Sequence, residues 1–330
     1  MKSENKSIRI GAIAIVGALV FRLVSGNLPE RLIRFFSKPE TMAAMVFLET
    51  GAVIDFPDPP TTEAVTEPVT EPVTEPATEP IPESVDKPQF TGQDSALVEI
   101  NNVSGKTFQL GALLESPLNW DLADGQPRVL ILHTHTSESY GDASNNYRSL
   151  DADKNLLVIG KHIESLLTAA GIGVIHDTTV HDYPSYNGSY NHSRKSVQKY
   201  LEEYPTLTLV LDIHRDAMEN SSGEQYATTM SVGGETSAQL MMVVGTNGSG
   251  LSHPSWEQNL SVAVKFHAQL ERLYPGICRP ISLRKQRFNQ DLSTCAMLIE
   301  VGTAANTQKQ ALEAASCLCE AIISLCKGST

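Results

Sequence analysis

RVLILHTHTSESY, residues 128–140, is the stretch that decides the fold. Its first part, VLIL, is a short continuous apolar run, which is typical of a strand buried on both faces. His133, His135 and Glu138 follow this run directly. Ligands of open α/β sheets bind beyond the carboxyl ends of the strands. These side chains are therefore candidates for a metal site or an acid–base site rather than for polar positions of an ordinary loop.

Two later stretches repeat the pattern of an apolar run with polar side chains near its end. LTLVLDIHRDA, residues 207–217, carries His214, and CAMLIEVG, residues 295–302, carries Glu300. Neighbouring strands of a sheet can be far apart in sequence, so His135, His214 and Glu300 can meet at one edge of the sheet. Two imidazoles and a carboxylate that leave one position open are typical of catalytic zinc, with a further carboxylate as the base.

After residue 128 the sequence alternates between strand-like and helix-like segments. This alternation predicts an α/β fold with a mainly parallel twisted sheet and helices on both faces. Neither G-x-G-x-x-G nor a P-loop occurs, so the sequence does not indicate a phosphate-binding loop. The predicted helices cover 154–170, 193–204, 256–274 and 307–326, and the further strands cover 172–177, 226–232 and 238–246.

The N-terminal part of the chain is not of globular composition. In residues 1–26, basic residues precede an apolar run, and no convincing cleavage site follows it. This pattern favours a signal anchor, with the N-terminus inside, over a cleaved signal peptide. Residues 27–59 are assigned as a juxtamembrane segment. Residues 60–87 contain repeats of Val-Thr-Glu-Pro, and the regular prolines forbid a helix, so we predict a disordered acidic linker.

A short segment separates this linker from the stretch that decides the fold. Residues 88–127 are assigned as a lead-in segment, with strands at 96–100 and 106–110 and a helical turn at 110–116. Residues 128–330 are assigned as the catalytic domain.

Charge and cysteine content exclude some functions. The formal net charge of −13 argues against a nucleic-acid-binding surface. The five cysteines all lie after residue 277, and no C-x-x-C occurs among them. A thiolate zinc site is therefore not expected, and we interpret the cysteines as buried free thiols that act as small apolar residues.

Several motifs together resemble one known family. HTHTSESY, DIHRDA and FNQDLSTCAMLIEVGTAANT occur in the order found in the stage II sporulation protein P family, and the resemblance runs from about residue 128 to the C-terminus. It implies a membrane-anchored, zinc-dependent N-acetylmuramoyl-L-alanine amidase that cleaves peptidoglycan during forespore engulfment, with peptide-crosslink endopeptidase activity in addition. It also implies a single-pass protein whose catalytic domain faces the mother cell–forespore septum. The partners it implies are the sporulation lytic transglycosylase protein D and the membrane protein M.

The resemblance also assigns roles to individual residues. His135 resembles the first zinc histidine, His214 the second, and Glu300 the catalytic glutamate. The third ligand stays open between Glu138 and Asp151. We favour Glu138 because it is tethered beside His135 in sequence.

Four further residues are candidates for supporting roles. His133 is expected to orient the zinc ligands without binding the metal itself. Arg215, Asn289 and Gln290 are candidates for contact with the substrate, against structural roles in an ion pair or a loop cap. The alternative to the enzyme is a catalytically inactive scaffold of the same fold that binds the cell wall, and zinc content discriminates between the two.

Overall fold

The protein is represented by a computed structural model, which describes residues 87–326 except 119, 121 and 145. The predicted anchor, the juxtamembrane segment and nearly all of the predicted linker lie outside the described residues. Within residues 87–326, apart from those three positions, no helix is both long enough and apolar enough to cross a membrane.

A seven-stranded sheet forms the centre of the fold, in the order β1-β8-β7-β9-β4-β2-β3, and β5 and β6 form a separate two-stranded hairpin. The strands are β1 (Ile100–Asn102), β2 (Pro127–Leu132), β3 (Gly173–His176), β4 (Leu209–Asp216), β5 (Thr229–Val232), β6 (Glu235–Ala238), β7 (Leu240–Gly245), β8 (Ile281–Arg284) and β9 (Ala296–Thr303). The helices are α1 (Leu110–Glu115), α2 (Leu157–Ala169), α3 (Ser189–Glu203), α4 (Trp256–Leu273) and α5 (Gln308–Cys326), with 3-10 turns at Gly92–Leu97 and Gln290–Leu292.

The sheet consists of two blocks that run in opposite directions. Every neighbouring pair of its strands is parallel except β7 with β9. Consequently β3, β2, β4 and β9 run one way, and β7, β8 and β1 run the other. The predicted mainly parallel sheet is confirmed, and the antiparallel junction between the blocks is a feature that the sequence pattern did not predict.

Alternate residues of the strands point to two different helical layers. Val129 and Ile131 of β2 belong to the main core, together with residues of α2, α4 and α5. Leu130 and Leu132, between them, pack in a second cluster with Val197 of α3. The predicted arrangement of helices on both faces is therefore confirmed, and it explains why the strand is apolar throughout.

The lead-in segment differs from its prediction. The strand predicted at 106–110 is wrong, because residues 105–109 have no strand partner and lead directly into α1. The segment instead contains the short strand β1, which pairs in parallel with β8 and forms one edge of the main sheet. The lead-in segment thus contributes a strand to the same sheet as residues 128–330.

Between β4 and β7 the chain forms a hairpin separate from the main sheet, where the sequence predicted strands at 226–232 and 238–246. β5 and β6 turn at Gly233 and Gly234, with φ of 57° and 93°. Two consecutive positive φ values are the requirement of the tight hairpin turn, which glycine meets without steric cost. The cysteines follow their prediction: all five are free, and only Cys278 is not fully buried.

Candidate active site

One cavity of about 400 Å³ collects five of the residues that the sequence singled out. It lies where the chain leaves β2 and where β4 and β9 approach their carboxyl ends. The five residues are His135, Glu138, His214, Arg215 and Glu300.

His214 and Glu300 are neighbours because of strand register. β4 and β9 pair in parallel, and the register sets His214 directly opposite Glu300. Both residues lie inside their strands, which continue to Asp216 and Thr303, whereas the sequence pattern placed them at the carboxyl ends. The backbone pairing of β4 with β9 continues past His214 and Glu300, since the amide of Ala304 still donates to the carbonyl of Asp216 at 2.7 Å.

The ring of His135 is fixed by a hydroxyl and by an aromatic ring. Its Nδ1 lies 3.2 Å from Ser189 Oγ, and that hydroxyl donates its proton to the carbonyl of Tyr186 at 3.0 Å. Nδ1 must therefore be the donor, which leaves the lone pair on Nε2. Tyr186 stacks on the ring at a centroid distance of 4.3 Å. Burial, with the neighbouring His214 adding to it, lowers the pKa of His135 to about 4, so the imidazole is neutral at physiological pH.

Glu138 is brought back towards the site by a turn after β2. Its amide donates to the carbonyl of His135 at 3.0 Å. Its Oε2 accepts from the amide of Arg215 at 3.3 Å and lies 3.6 Å from Nδ1 of His214. Burial alone would raise the pKa of Glu138, but His214 and Arg215 outweigh it and hold the pKa below its usual value. Glu138 is therefore a buried carboxylate that stays charged.

A second carboxylate flanks His214. Asp212 Oδ1 lies 2.9 Å from Nε2 of His214, outside hydrogen-bond geometry, so this buried nitrogen has no hydrogen-bond partner among the described residues. Thr134 fixes Asp212 through its amide, at 2.8 Å, and its hydroxyl, at 2.6 Å. Burial opposes the charged imidazole, but Asp212 and Glu138 raise the pKa of His214 well above its usual value in the metal-free protein.

Glu300 differs from Glu138 in its environment. The residue keeps some exposure, but its Oε2 has no contact with solvent and no hydrogen-bond partner among the described residues. Burial, to which Glu138 and Asp216 add and against which His214 acts, raises its pKa to about 8. A carboxyl group whose pKa lies near the working pH can both accept and return a proton.

Three of the other predicted residues do not line the cavity, and neither does Asp151. Nδ1 of His133 donates to the carbonyl of Ile213 at 3.0 Å, and its Nε2 lies 3.0 Å from Nε2 of His176. Asp151 pairs with the exposed Lys154 at 3.3 Å. The structure therefore places Glu138, and not Asp151, beside the two candidate zinc histidines.

Asn289 and Gln290 form part of the framework next to the cavity. Asn289 has a left-handed backbone, with φ of 58°, and its side-chain amide donates to the carbonyl of Tyr190 at 2.7 Å. Gln290 is buried against β7. Its Oε1 accepts from the amide of Gly245 and its Nε2 donates to the carbonyl of Val243, both at 2.8 Å.

Sequence reasoning did not single out two groups of cavity residues. Three are aromatic, and of these Tyr186 and Tyr190 come from the run PSYNGSYN, residues 184–191, which leads into the first turn of α3 and is a local repeat that could have been noticed. Phe288, the third, has a φ of 51°, which is rare for a bulky residue and typical of functional sites. The second group comes from the block that runs in the other direction, and no local pattern marks it: Asn101, Met241, Val243, Arg279, Ser282 and Arg284.

The donor set can be compared with the requirements of a metal ion. His135 offers a lone pair on Nε2, Glu138 stays anionic, and Nδ1 of His214 lies 3.6 Å from the Glu138 carboxylate. Two imidazoles and a carboxylate are the ligands of many catalytic zinc sites. In the part of the chain that the structure describes, no three His, Cys, Asp or Glu side chains are already arranged to hold a metal ion. The residues therefore fit zinc in their chemistry and would complete the coordination by adjusting side chains.

The first prediction concerns the framework role of Gln290. Gln290→Ala leaves the amide of Gly245 and the carbonyl of Val243 unpaired in the interior, which should lower the free energy of unfolding by about 1–3 kcal/mol. Urea unfolding of the purified full-length chain measures this loss. Gln286→Ala, in the same loop but exposed, is the matched control and should change little. Equal stability of the two variants would contradict the role.

The second prediction uses the raised pKa of Glu300 in the metal-free protein. Between its ordinary value and about 8, the native carboxyl keeps a proton that the unfolded chain releases, so this group's contribution to stability falls as pH rises. Glutamine resembles the protonated form. The advantage of Glu300→Gln over wild type should therefore grow from about pH 5 to about pH 8 in urea unfolding with a chelator present. The exposed Glu202→Gln is the control, and a pH-independent difference for Glu300→Gln would refute the assignment.

Comparison with known proteins gives one family and one curated relative. Residues 51–323 match the model of the family described as stage II sporulation protein P. The stage II sporulation protein P of Bacillus subtilis (strain 168) is 27% identical over 203 residues, which cover 57% of this chain and 48% of that protein. The match thus spans about half the length of the curated relative.

Solved structures share a more distant likeness. The N-acetylmuramoyl-L-alanine amidase AmiC2 of Nostoc punctiforme is 14% identical, with a TM-score of 0.36 over 61% of this chain and 96% of the other. The N-acetylmuramoyl-L-alanine amidase of Clostridium difficile 630 is 16% identical, with a TM-score of 0.36 over 61% and 97%. At these scores the likenesses support no conclusion about activity. The family match, in contrast, covers well over half of the residues, and the chain therefore belongs to the stage II sporulation protein P family.

Proposed function

We propose that this protein is a zinc-dependent peptidoglycan hydrolase that cleaves the amide bond between N-acetylmuramic acid and L-alanine. The observation that carries the proposal is the pairing of His214 with Glu300, whose buried carboxyl oxygen has no partner, in a cavity shared with His135 and Glu138. Membership of the sporulation family supports the cell wall as the substrate.

The zinc ligands in this proposal are His135, His214 and Glu138. When bound, zinc acidifies water and polarises a carbonyl group. Ser189 holds His135 in the tautomer that presents Nε2. Together with His214, Arg215 keeps Glu138 charged, and its own guanidinium donates to the carbonyls of Ser139, at 3.1 Å, and Tyr147, at 2.7 Å. Arg215 thus supports the ligand set, and this role competes with the predicted substrate contact.

Glu300 is the proton carrier. With a pKa of about 8 in the metal-free protein, its carboxyl group binds and releases a proton close to neutral pH. In the proposed reaction Glu300 accepts a proton from the attacking water and delivers it to the nitrogen of the leaving L-alanine. A positioned general base of this kind typically accelerates a reaction about 10²–10⁴-fold.

Several finer elements of the function are predictions from the family alone. They are the peptide-crosslink endopeptidase activity, the role in forespore engulfment, the septal location, and the partners protein D and protein M; the membrane anchor is a prediction from residues 1–26 as well. The alternative function is an inactive wall-binding scaffold of the same fold. It is kept because, among the described residues, no three candidate ligands are already arranged around a metal.

The third prediction separates ligands from base. Full-length wild-type chain, purified in detergent without chelator, should contain about one zinc per chain by elemental analysis. His135→Ala and Glu138→Gln should lose zinc and peptidoglycan cleavage together, because each removes a ligand. Asp151→Asn is the control for Glu138→Gln, since Asp151 lies outside the cavity lining, and it should keep both zinc and activity.

The fourth prediction concerns the base itself. Glu300→Gln should retain zinc but cleave peptidoglycan about 10²–10⁴-fold more slowly, because the amide cannot accept the proton. Elemental analysis and release of soluble wall fragments measure the two properties. Zinc-free wild type would favour the scaffold, and a Glu300→Gln variant with near wild-type rate would refute the proposed base.

A further inference from the structure

The cavity extends from His214 and Glu300 across one face of the sheet, over β9, β7, β8 and β1. Strand register places Met241 opposite Glu300, so β7 continues the row that begins with His214 and Glu300. The next row joins Leu298 of β9, Val243 of β7, Ser282 of β8 and Asn101 of β1, each opposite the next. All of these residues line the same cavity. The floor of the cavity is thus a short ribbon of sheet that starts at the reacting centre.

Two arginines flank this floor, one before β8 and one at its end. Arg279 lies beside the start of β7, where its amide donates to the carbonyl of Leu240 at 2.8 Å. Arg284 is the last residue of β8 and lies opposite Gly245. Since side chains alternate along a strand, Arg284 shares its face with Ser282 of the floor.

Both arginines have donors left over for a ligand. Nη2 of Arg279 pairs with Asp216 at 2.6 Å, but its Nη1 is buried and has no hydrogen-bond partner among the described residues. Arg284 is exposed, and its guanidinium makes no hydrogen bond or ion pair with any residue that the structure describes. Buried donors in proteins are rarely left unpaired, so an unpaired one in a cavity wall points to a ligand.

We infer that Arg279 and Arg284 form a carboxylate-recognition wall that selects the acidic peptide stem of the substrate. The inference rests on the proposed function and names the part of the substrate that this wall binds. The stem of peptidoglycan carries free carboxylates on residues that follow L-alanine, or carboxamides where these groups are amidated. Guanidinium groups bind carboxylates through hydrogen bonds in which both partners are charged, whereas a carboxamide offers one neutral oxygen acceptor and forms a weaker contact.

The test compares two synthetic N-acetylmuramoyl peptides that differ only at the second residue, D-isoglutamate with a free carboxylate or D-isoglutamine with a carboxamide. The zinc-loaded full-length wild type should prefer the acid by about 10–100-fold in kcat/KM, mostly through KM, which is the effect of one charge-assisted hydrogen bond. Arg284→Gln should bring this ratio close to one, and Arg284→Lys should restore part of it. Lys285→Gln removes the same charge one residue away, outside the cavity lining, and should keep the wild-type ratio.

A binding measurement separates this inference from the hydrolase itself. Calorimetric titration of the full-length chain with the free peptides L-Ala-D-isoglutamate and L-Ala-D-isoglutamine should show the same preference and the same loss in Arg284→Gln. Selective binding without cleavage would overturn the proposed hydrolase and retain the wall. Cleavage of both substrates at equal rates, or no difference in binding between the acid and the amide, would overturn the wall.

Discussion

The parallel register of β4 against β9 is the constraint on which the rest of the site depends. It sets His214 opposite Glu300 and gives two residues that are far apart in sequence a fixed separation. A slip of one residue would turn one of the two side chains to the helical layer on the other face. The apolar residues around them alternate between the main core and the α3 cluster, and they hold this register because a slip would exchange the side chains that pack in the two clusters.

Different neighbours then give the two glutamates of the cavity opposite properties. Glu138 lies close to His214 and Arg215, which hold its pKa down, whereas Glu300 has no hydrogen-bond partner for Oε2 among the described residues and its pKa rises to about 8. One carboxylate therefore suits a ligand and the other suits a proton carrier. Two carboxyl groups whose environments separate their pKa values are a recurring pattern in enzymes that combine acid and base chemistry.

Local sequence predicted the parts of the fold that local patterns encode. The runs VLIL, LVLDI and AMLIE predicted the neighbouring strands β2, β4 and β9, and the polar residues within or after them predicted five of the residues that line the cavity. The reversed block escaped prediction, because the direction of β7 against β9 depends on tertiary packing and not on any local spacing. For the same reason Arg279 and Arg284 had no local signal, and the framework bonds of Gln290 could not be distinguished from substrate contact.

The most direct test of the account is the chemical identity of the new ends in purified peptidoglycan digested by the zinc-loaded full-length chain. Cleavage of the muramoyl amide predicts new amino-terminal L-alanine, in proportion to the fragments released and strongly reduced in Glu300→Gln. New ends at other peptide bonds with no new L-alanine would contradict the proposed amidase. Intact peptidoglycan after treatment with zinc-loaded protein would contradict a hydrolase at this site altogether.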